Sequence, residues 1–332
     1  MNSPEGDQYG KLPFSGWWPI GAGALAGLAL RLIFMGGPGE RYSAMLDSFI
    51  YGSPMLVGAI TVYVAERTRR RSWRYYFLAP LIANLLYVVG ALLLLVEGWI
   101  CAIVILPMFG LIGAMGGLLM GLVCRLTDWP RRAVASSFAL LPLLVGAVEH
   151  RAALPDLRRE QLREIHIAAP PSRVWRELVD VRGIEPAEVG SAWMYRIGVP
   201  LPTAGLGDSS DGVHRRHITM GRGVHFDQVA TVWREDEVVS WAYEFGPDSF
   251  PPGALDDHVR IGGEYFDLGE TTYSLRPDGA GTRLSIRMRY RVSTHFNWYA
   301  GPVADFLVGD FAAEILGFYA RRAQRVDPAS SR

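Results

Sequence analysis

Cysteine and lysine are nearly absent from this chain, which has two cysteines, Cys101 and Cys124, and one lysine, Lys11, among 332 residues. Both cysteines fall in one apolar run, so the C-terminal half holds neither a disulfide framework nor a cysteine-based zinc site. An excess of either charge is missing too, with 33 basic and 33 acidic side chains. Such a balance excludes a basic nucleic-acid binder, and a composition that is 50% hydrophobic excludes a disordered chain. What charge there is lies unevenly. Residues 1–156 carry 12 Lys/Arg and 9 Asp/Glu, leaving 21 and 24 for residues 157–332. The first half is therefore apolar and almost neutral, and the second is charge-rich and mildly acidic. That segregation argues against a wholly soluble enzyme.

Within residues 1–150, four apolar stretches at about 17–34, 48–65, 75–96 and 99–123 reach the length of a membrane span. A fifth, 133–148, is shorter and interrupted by Pro142, and it is read as a fifth span with local thinning of the bilayer. Arginine clusters follow the second span (Arg67, Arg69, Arg70, Arg71, Arg74) and the fourth (Arg125, Arg131, Arg132). Arginine-rich loops stay in the cytoplasm, which places the N-terminus there as well. Five spans then put the C-terminal domain on the extracytoplasmic side, and four would leave it inside. Arg31, Asp47 and Glu97 stand near span ends, where long side chains snorkel, and Asn84 at mid-depth is expected to bond between helices. Gly23-x-x-x-Gly27, Gly113-x-x-x-Gly117 and Gly117-x-x-x-Gly121 have the spacing that lets helices approach, and are candidate self-association faces. The bundle reads as an anchor. Gly21 to Ala26 loosely fits a dinucleotide-binding pattern, but it lies inside an apolar helix, without the preceding strand that motif needs.

Residues 151–163 read as a linker, and 164–326 as one folded domain followed by a tail at 327–332. Glu164 to Ile167 alternates as a strand ending at Pro170-Pro171. From His214 to Val292 the period is two: Val239, Trp241, Tyr243 and Phe245 alternate with smaller or polar residues, as do Leu284, Ile286, Met288, Tyr290 and Val292. Pro277 to Gly281 supplies a hairpin connection. Ala304, Val308, Phe311, Ile315 and Tyr319 then recur at helical spacing. The economical solution is an α+β domain, an antiparallel sheet curved around a long C-terminal helix, attached to an α-helical transmembrane bundle. Two Pro/Gly-rich stretches, 200–212 and 246–263, are candidate lids or equally plain flexible loops.

The stretch Glu164-Ile165-His166-Ile167-Ala168-Ala169-Pro170-Pro171-Ser172-Arg173-Val174-Trp175 resembles the opening of the START-like, polyketide cyclase/dehydrase and lipid-transport superfamily, the helix-grip proteins. Residues 193–200 and the Trp241 strand look like a bacterial branch with N-terminal spans, which implies residence in the cytoplasmic membrane. The resemblance covers roughly residues 160–326. It implies an apolar cavity between sheet and helix that takes a lipid, a polyketide or another hydrophobic ligand. It carries no shared catalytic set and no cofactor. Trp241, Tyr243, Phe245, Tyr273, Met288, Tyr290, Val308, Phe311 and Ile315 are the residues expected to line that cavity, or equally to pack a filled core.

No constellation points to metal or nucleophilic chemistry. His214 and His217 are three apart and face opposite sides of a strand, and the other histidines lack ligand spacing. Gly207 to Gly212 is turn-forming and does not fit a nucleophile elbow. His217 and Asp305 are the candidates for an acid or base. The expected function is membrane-anchored binding, transport or sensing of a hydrophobic small molecule. The alternatives are a cyclase/dehydratase-type enzyme or a ligand-free partner-binding protein. Arg283, Arg287, Arg289 and Arg291 share one strand face, either solvated or turned to anionic headgroups.

Overall fold

A computed structural model describes residues 16–36, 42–127, 137–149, 154–209 and 212–325. The expected tail at 327–332 and the first residues of the expected linker lie outside them. The chain divides into two units, residues 1–97 with 104–152, and residues 98–103 with 153–332.

The first unit is helical: α1 (Trp18–Ile33), α2 (Asp47–Ile50), α3 (Gly52–Glu66), α4 (Trp73–Leu93), α5 (Trp99–Thr127, whose residues 99–103 are grouped with the second unit) and α6 (Leu141–Val148). Among the described residues three helices are long and apolar enough to cross a membrane: Asp47–Glu66, Trp73–Leu93 and Trp99–Thr127. α1 is equally apolar but has 16 residues. The described part of the expected fifth span is a 3-10 turn, Ser137–Leu140, followed by the eight residues of α6. Glu149, just beyond α6, accepts from the backbone N–H groups of Asp47 and Ser48, so it satisfies the start of α2.

Small residues set the helix spacing. A Cβ on Gly23 or Gly27 would strike Thr61, Val57 or Tyr87, and one on Gly117 would strike Tyr76, Pro80 or Val62. The faces read as self-association sites are thus occupied by this chain's own helices. Asn84 is fully buried and donates to the carbonyls of Pro54 and Pro80, at 3.4 and 3.0 Å, the first of them on another helix. Arg31 does not snorkel. Its Nε meets Glu97 at 2.9 Å with both side chains buried, because pairing costs less than holding either charge alone in an apolar bundle. The arginine loop after α3 is tied down by Glu66, which accepts from Arg71 N–H and Tyr76 Oη, while Arg125 donates to Tyr76 and to the Arg71 carbonyl.

The second unit runs β1 (Asp156–Ile167), α7 (Pro171–Val179), α8 (Pro186–Val189), α9 (Trp193–Arg196), β2 (Pro202–Asp208), β3 (Arg215–Met220), β4 (His225–Arg234), β5 (Val238–Glu244), β6 (Phe266–Asp278), β7 (Gly281–Ser293) and α10 (Asn297–Gln324). The described strands form one antiparallel sheet of seven in the order β1-β7-β6-β5-β4-β3-β2. α10 packs against it, an arrangement consistent with a helix-grip fold. The turn between β6 and β7 pairs Asp278 with Gly281 and places Gly279 at φ +60°, where a residue without Cβ is unstrained.

Two sequence expectations are corrected here. Residues 156–163, read as linker, are the first two-thirds of β1. The strand was illegible because its helix-facing side carries Arg159, Gln161 and Arg163 among Leu157 and Ile165, so apolar alternation is lost; pairing with β7 fixes it instead. Residues 202–208, read as part of a lid, are β2, at the opposite sheet edge.

The outward arginines of β7 face acids. Arg283 meets Asp278 at 2.7 Å, Arg287 and Arg289 meet Glu160 at 3.6 and 3.3 Å, and Arg291 meets Asp156 at 3.5 Å. This face is therefore an ion-pair ladder rather than a basic surface, and its exposed pairs contribute little to stability. The other face is the core, where Leu284, Ile286, Val239, Ala312 and Leu178 are almost completely buried. Ile286→Ala, which leaves a void in this layer, is expected to cost about 3 kcal/mol of unfolding free energy, read as a shift in denaturant midpoint at unchanged slope. A cost below about 1 kcal/mol would mean that the layer closes over the void.

Candidate functional site

The register across β2 to β6 decides which side chains meet on the helix-facing side of the sheet. Arg216 on β3 lies opposite Gln228 on β4, and Gln228 lies opposite Tyr243 on β5. Beside this row, Ala230 faces Trp241, which faces Thr271. An irregularity between Ala230 and Val232 shifts the parity of β4, so Trp233 pairs with Val239 and Tyr273 continues that row. Trp233 consequently turns inward and meets Trp175 and Trp241 edge-on, with ring centroids at 5.0 and 6.0 Å. From α10, Tyr319 reaches the same place, edge-on to Tyr273 at 5.7 Å.

Arg216 is the charged group of this interior, with 4% of its surface exposed. Its Nε and Nη2 both donate to Gln228 Oε1, and Nη1 donates to the Leu178 carbonyl and to Tyr319 Oη. The guanidinium carbon sits 5.0 Å from the Trp241 ring centroid, a cation–π contact. Leu178 lies in the last turn of α7, so the negative end of that helix faces the guanidinium. Gly207 stands opposite Arg216 on β2, and a Cβ there would press on the Val179 carbonyl in the same last turn. Burial raises the pKa of Tyr273 well above the ordinary value and raises that of Tyr243, whose hydroxyl sits 2.6 Å from Thr271 Oγ1. Trp241 is 1% exposed, and its Nε1–H has no hydrogen-bond partner among the described residues.

The cavity residues expected from sequence are distributed as follows. Trp241, Tyr273, Met288, Tyr290, Val308 and Ile315 belong to one buried cluster, with Phe311 packed against its edge. Tyr243 bridges that cluster to a second group, since its ring lies 5.9 Å from Phe226 and 6.4 Å from Phe245. Phe245 lies past the end of β5 beside Phe250 and under Gly262, so it belongs to the 246–263 loop rather than to the central interior.

The acid–base candidates do not reach the interior as free groups. His217 sits on the outward face of β3, about half exposed, with Nδ1 2.7 Å from Asp227. Its neighbour Arg216 points inward instead, because adjacent strand residues face opposite sides. Asp305 accepts from Tyr290 Oη at 2.5 Å and lies 3.9 Å from Arg159. Sequence reading missed Arg216 and Gln228. The usable signal was parity: with Ile218 apolar and His217 polar, Arg216 falls on the Ile218 side.

No family model matches the chain, and no curated protein matches it. Solved structures similar to it include a Thermus thermophilus protein, 18% identical, spanning 52% of this chain and 100% of its own, with a TM-score of 0.33. A truncated norcoclaurine synthase from Thalictrum flavum is 14% identical over 53% of this chain and 99% of its own, with a TM-score of 0.31. A Streptomyces aromatase/cyclase is 13% identical over 53% of this chain and 100% of its own, also at 0.31.

Proposed function

We propose that the C-terminal domain binds a hydrophobic small molecule between its sheet and α10, and that the N-terminal helices anchor it in a bilayer. One observation carries the reading. At the centre of the inner sheet face, Trp241 keeps a buried N–H without an acceptor among the described residues, in a buried cluster that also holds Tyr273 and Tyr319. An unmade hydrogen bond at a buried donor costs about 1–3 kcal/mol, and a filled apolar core would place phenylalanine or leucine there at no such cost. A bound molecule that offers an oxygen removes the penalty. The aromatic walls of Trp233, Tyr273 and Tyr319 supply the apolar contact that such a molecule needs. Three helices of spanning length support the anchor, which would keep the domain where bilayer-soluble ligands partition.

The test is native mass spectrometry of the full chain, extracted into amphipol without exchange of bound lipid, beside the Trp241→Phe variant. Wild type is expected to carry a defined small molecule at near one per chain, and Trp241→Phe to lose most of it. An empty wild type whose stability is unchanged or raised by Trp241→Phe would establish a filled core and end the proposal.

A further inference from the structure

We propose that the ligand of this interior is an amphiphile with a carboxylate head, held by Arg216 and the Trp241 indole N–H. The inference rests on the binding reading above and specifies its ligand. A buried charge is ordinarily matched by an opposite one, because stripping a guanidinium of water costs several kcal/mol. Arg216 is buried, yet its hydrogen-bond partners among the described residues are an amide oxygen, a main-chain carbonyl and a phenol. None is a carboxylate. Burial raises the pKa of Tyr243 and Tyr273, which works against either serving as a counter-ion.

The hydrogen-bond inventory also limits the shape of the missing anion. The bonds to Gln228, Leu178 and Tyr319 occupy all but one of the guanidinium N–H groups. The indole N–H of Trp241, whose ring the guanidinium overlies, is the second unused donor. Two donors on adjacent side chains suit the two oxygens of a carboxylate. A phosphate, with three oxygens to satisfy and a larger dehydration cost, would leave one of them bare in this apolar setting. The aromatic walls favour an alkyl or polyketide-like remainder over a small polar acid.

The full chain, reconstituted in nanodiscs of zwitterionic lipid, is titrated with palmitate, hexadecanol and hexadecyl phosphate, with Trp fluorescence and native mass spectrometry as readouts. Wild type is expected to bind palmitate at least about tenfold more tightly than hexadecanol, the scale of one charge-assisted hydrogen bond, and more tightly than the phosphate. Arg216→Gln should erase the preference for palmitate over hexadecanol while retaining alcohol binding, and Arg216→Lys should keep part of it. Equal binding of palmitate and hexadecanol by wild type overturns the carboxylate assignment and leaves hydrophobic binding standing, whether or not the variants fold. A preference for hexadecyl phosphate overturns it in favour of a phosphate head. Binding of none of the three removes the ligand reading itself.

Discussion

Glu188→Gln is expected to destabilise the sheet domain by about 2–3 kcal/mol near pH 7, and to lose that effect as pH falls from about 4.5 through 2. Glu188 sits on α8 and is 7% exposed. Arg322 donates to both its oxygens, at 2.6 and 3.1 Å, and Arg325 lies 2.8 Å away. Hydrogen bonding from Arg322 is the main reason its carboxyl pKa falls from 4.5 to about 2, against the opposing effect of burial. A depressed carboxylate pKa contributes stability that is fully present above the unfolded value, here about 4.5, and is lost as pH falls towards 2. Glutamine keeps the side-chain volume, removes the charge and leaves one accepting oxygen in place of two. The pair fastens the last turns of α10 to the segment between α7 and β2, so amide exchange at residues 316–324 is the direct readout in the full chain. Equal exchange in both proteins at pH 7 would contradict the assignment, as would a difference that survived undiminished at pH 1.5.

Gly58→Val is expected to break the helical unit, at a cost of about 3 kcal/mol or more. A Cβ on Gly58 of α3 would overlap the Gly113 carbonyl of α5 and stand 3.0 Å from the Gly117 nitrogen. Those are backbone atoms, which cannot rotate aside, so the two helices must separate along their length. Gly21→Val is the control, because a Cβ at Gly21 meets nothing within 4 Å. Titration of both variants with a denaturing detergent should show an early loss of helix packing for Gly58→Val alone. Similar behaviour of the two would mean that the helices yield at little cost.

The parts of the fold legible in the sequence are those where burial is one-sided and apolar. β5 and β7 show it as period two through Val239, Trp241 and Tyr243, and through Leu284 to Val292, and α10 shows it as the arc from Val308 to Tyr319. The apolar runs located α3, α4 and α5 for the same reason. β1 failed because its inner face is polar, with Gln161 and Arg163 lying against Gly309 of α10. β2 failed because two of its seven residues are glycine, which reads as a turn, whereas here glycine leaves room for Arg216 and for the end of α7.

The candidate site divides along the same line. Composition and periodicity alone determined that this chain joins an apolar helical half to a charge-rich antiparallel sheet with a long final helix, and that Trp241, Tyr273 and Met288 turn inward. Those properties depend on which residues avoid water, and a sequence states that directly. Only the tertiary structure decided that Arg216 faces the interior and His217 does not, that Glu97 neutralises Arg31, and that the Trp241 N–H lacks an acceptor among the described residues. Pairing of charges and satisfaction of donors depend on which distant segments meet. Arg216 and Tyr319 are separated by 103 residues, and no local pattern records that they touch.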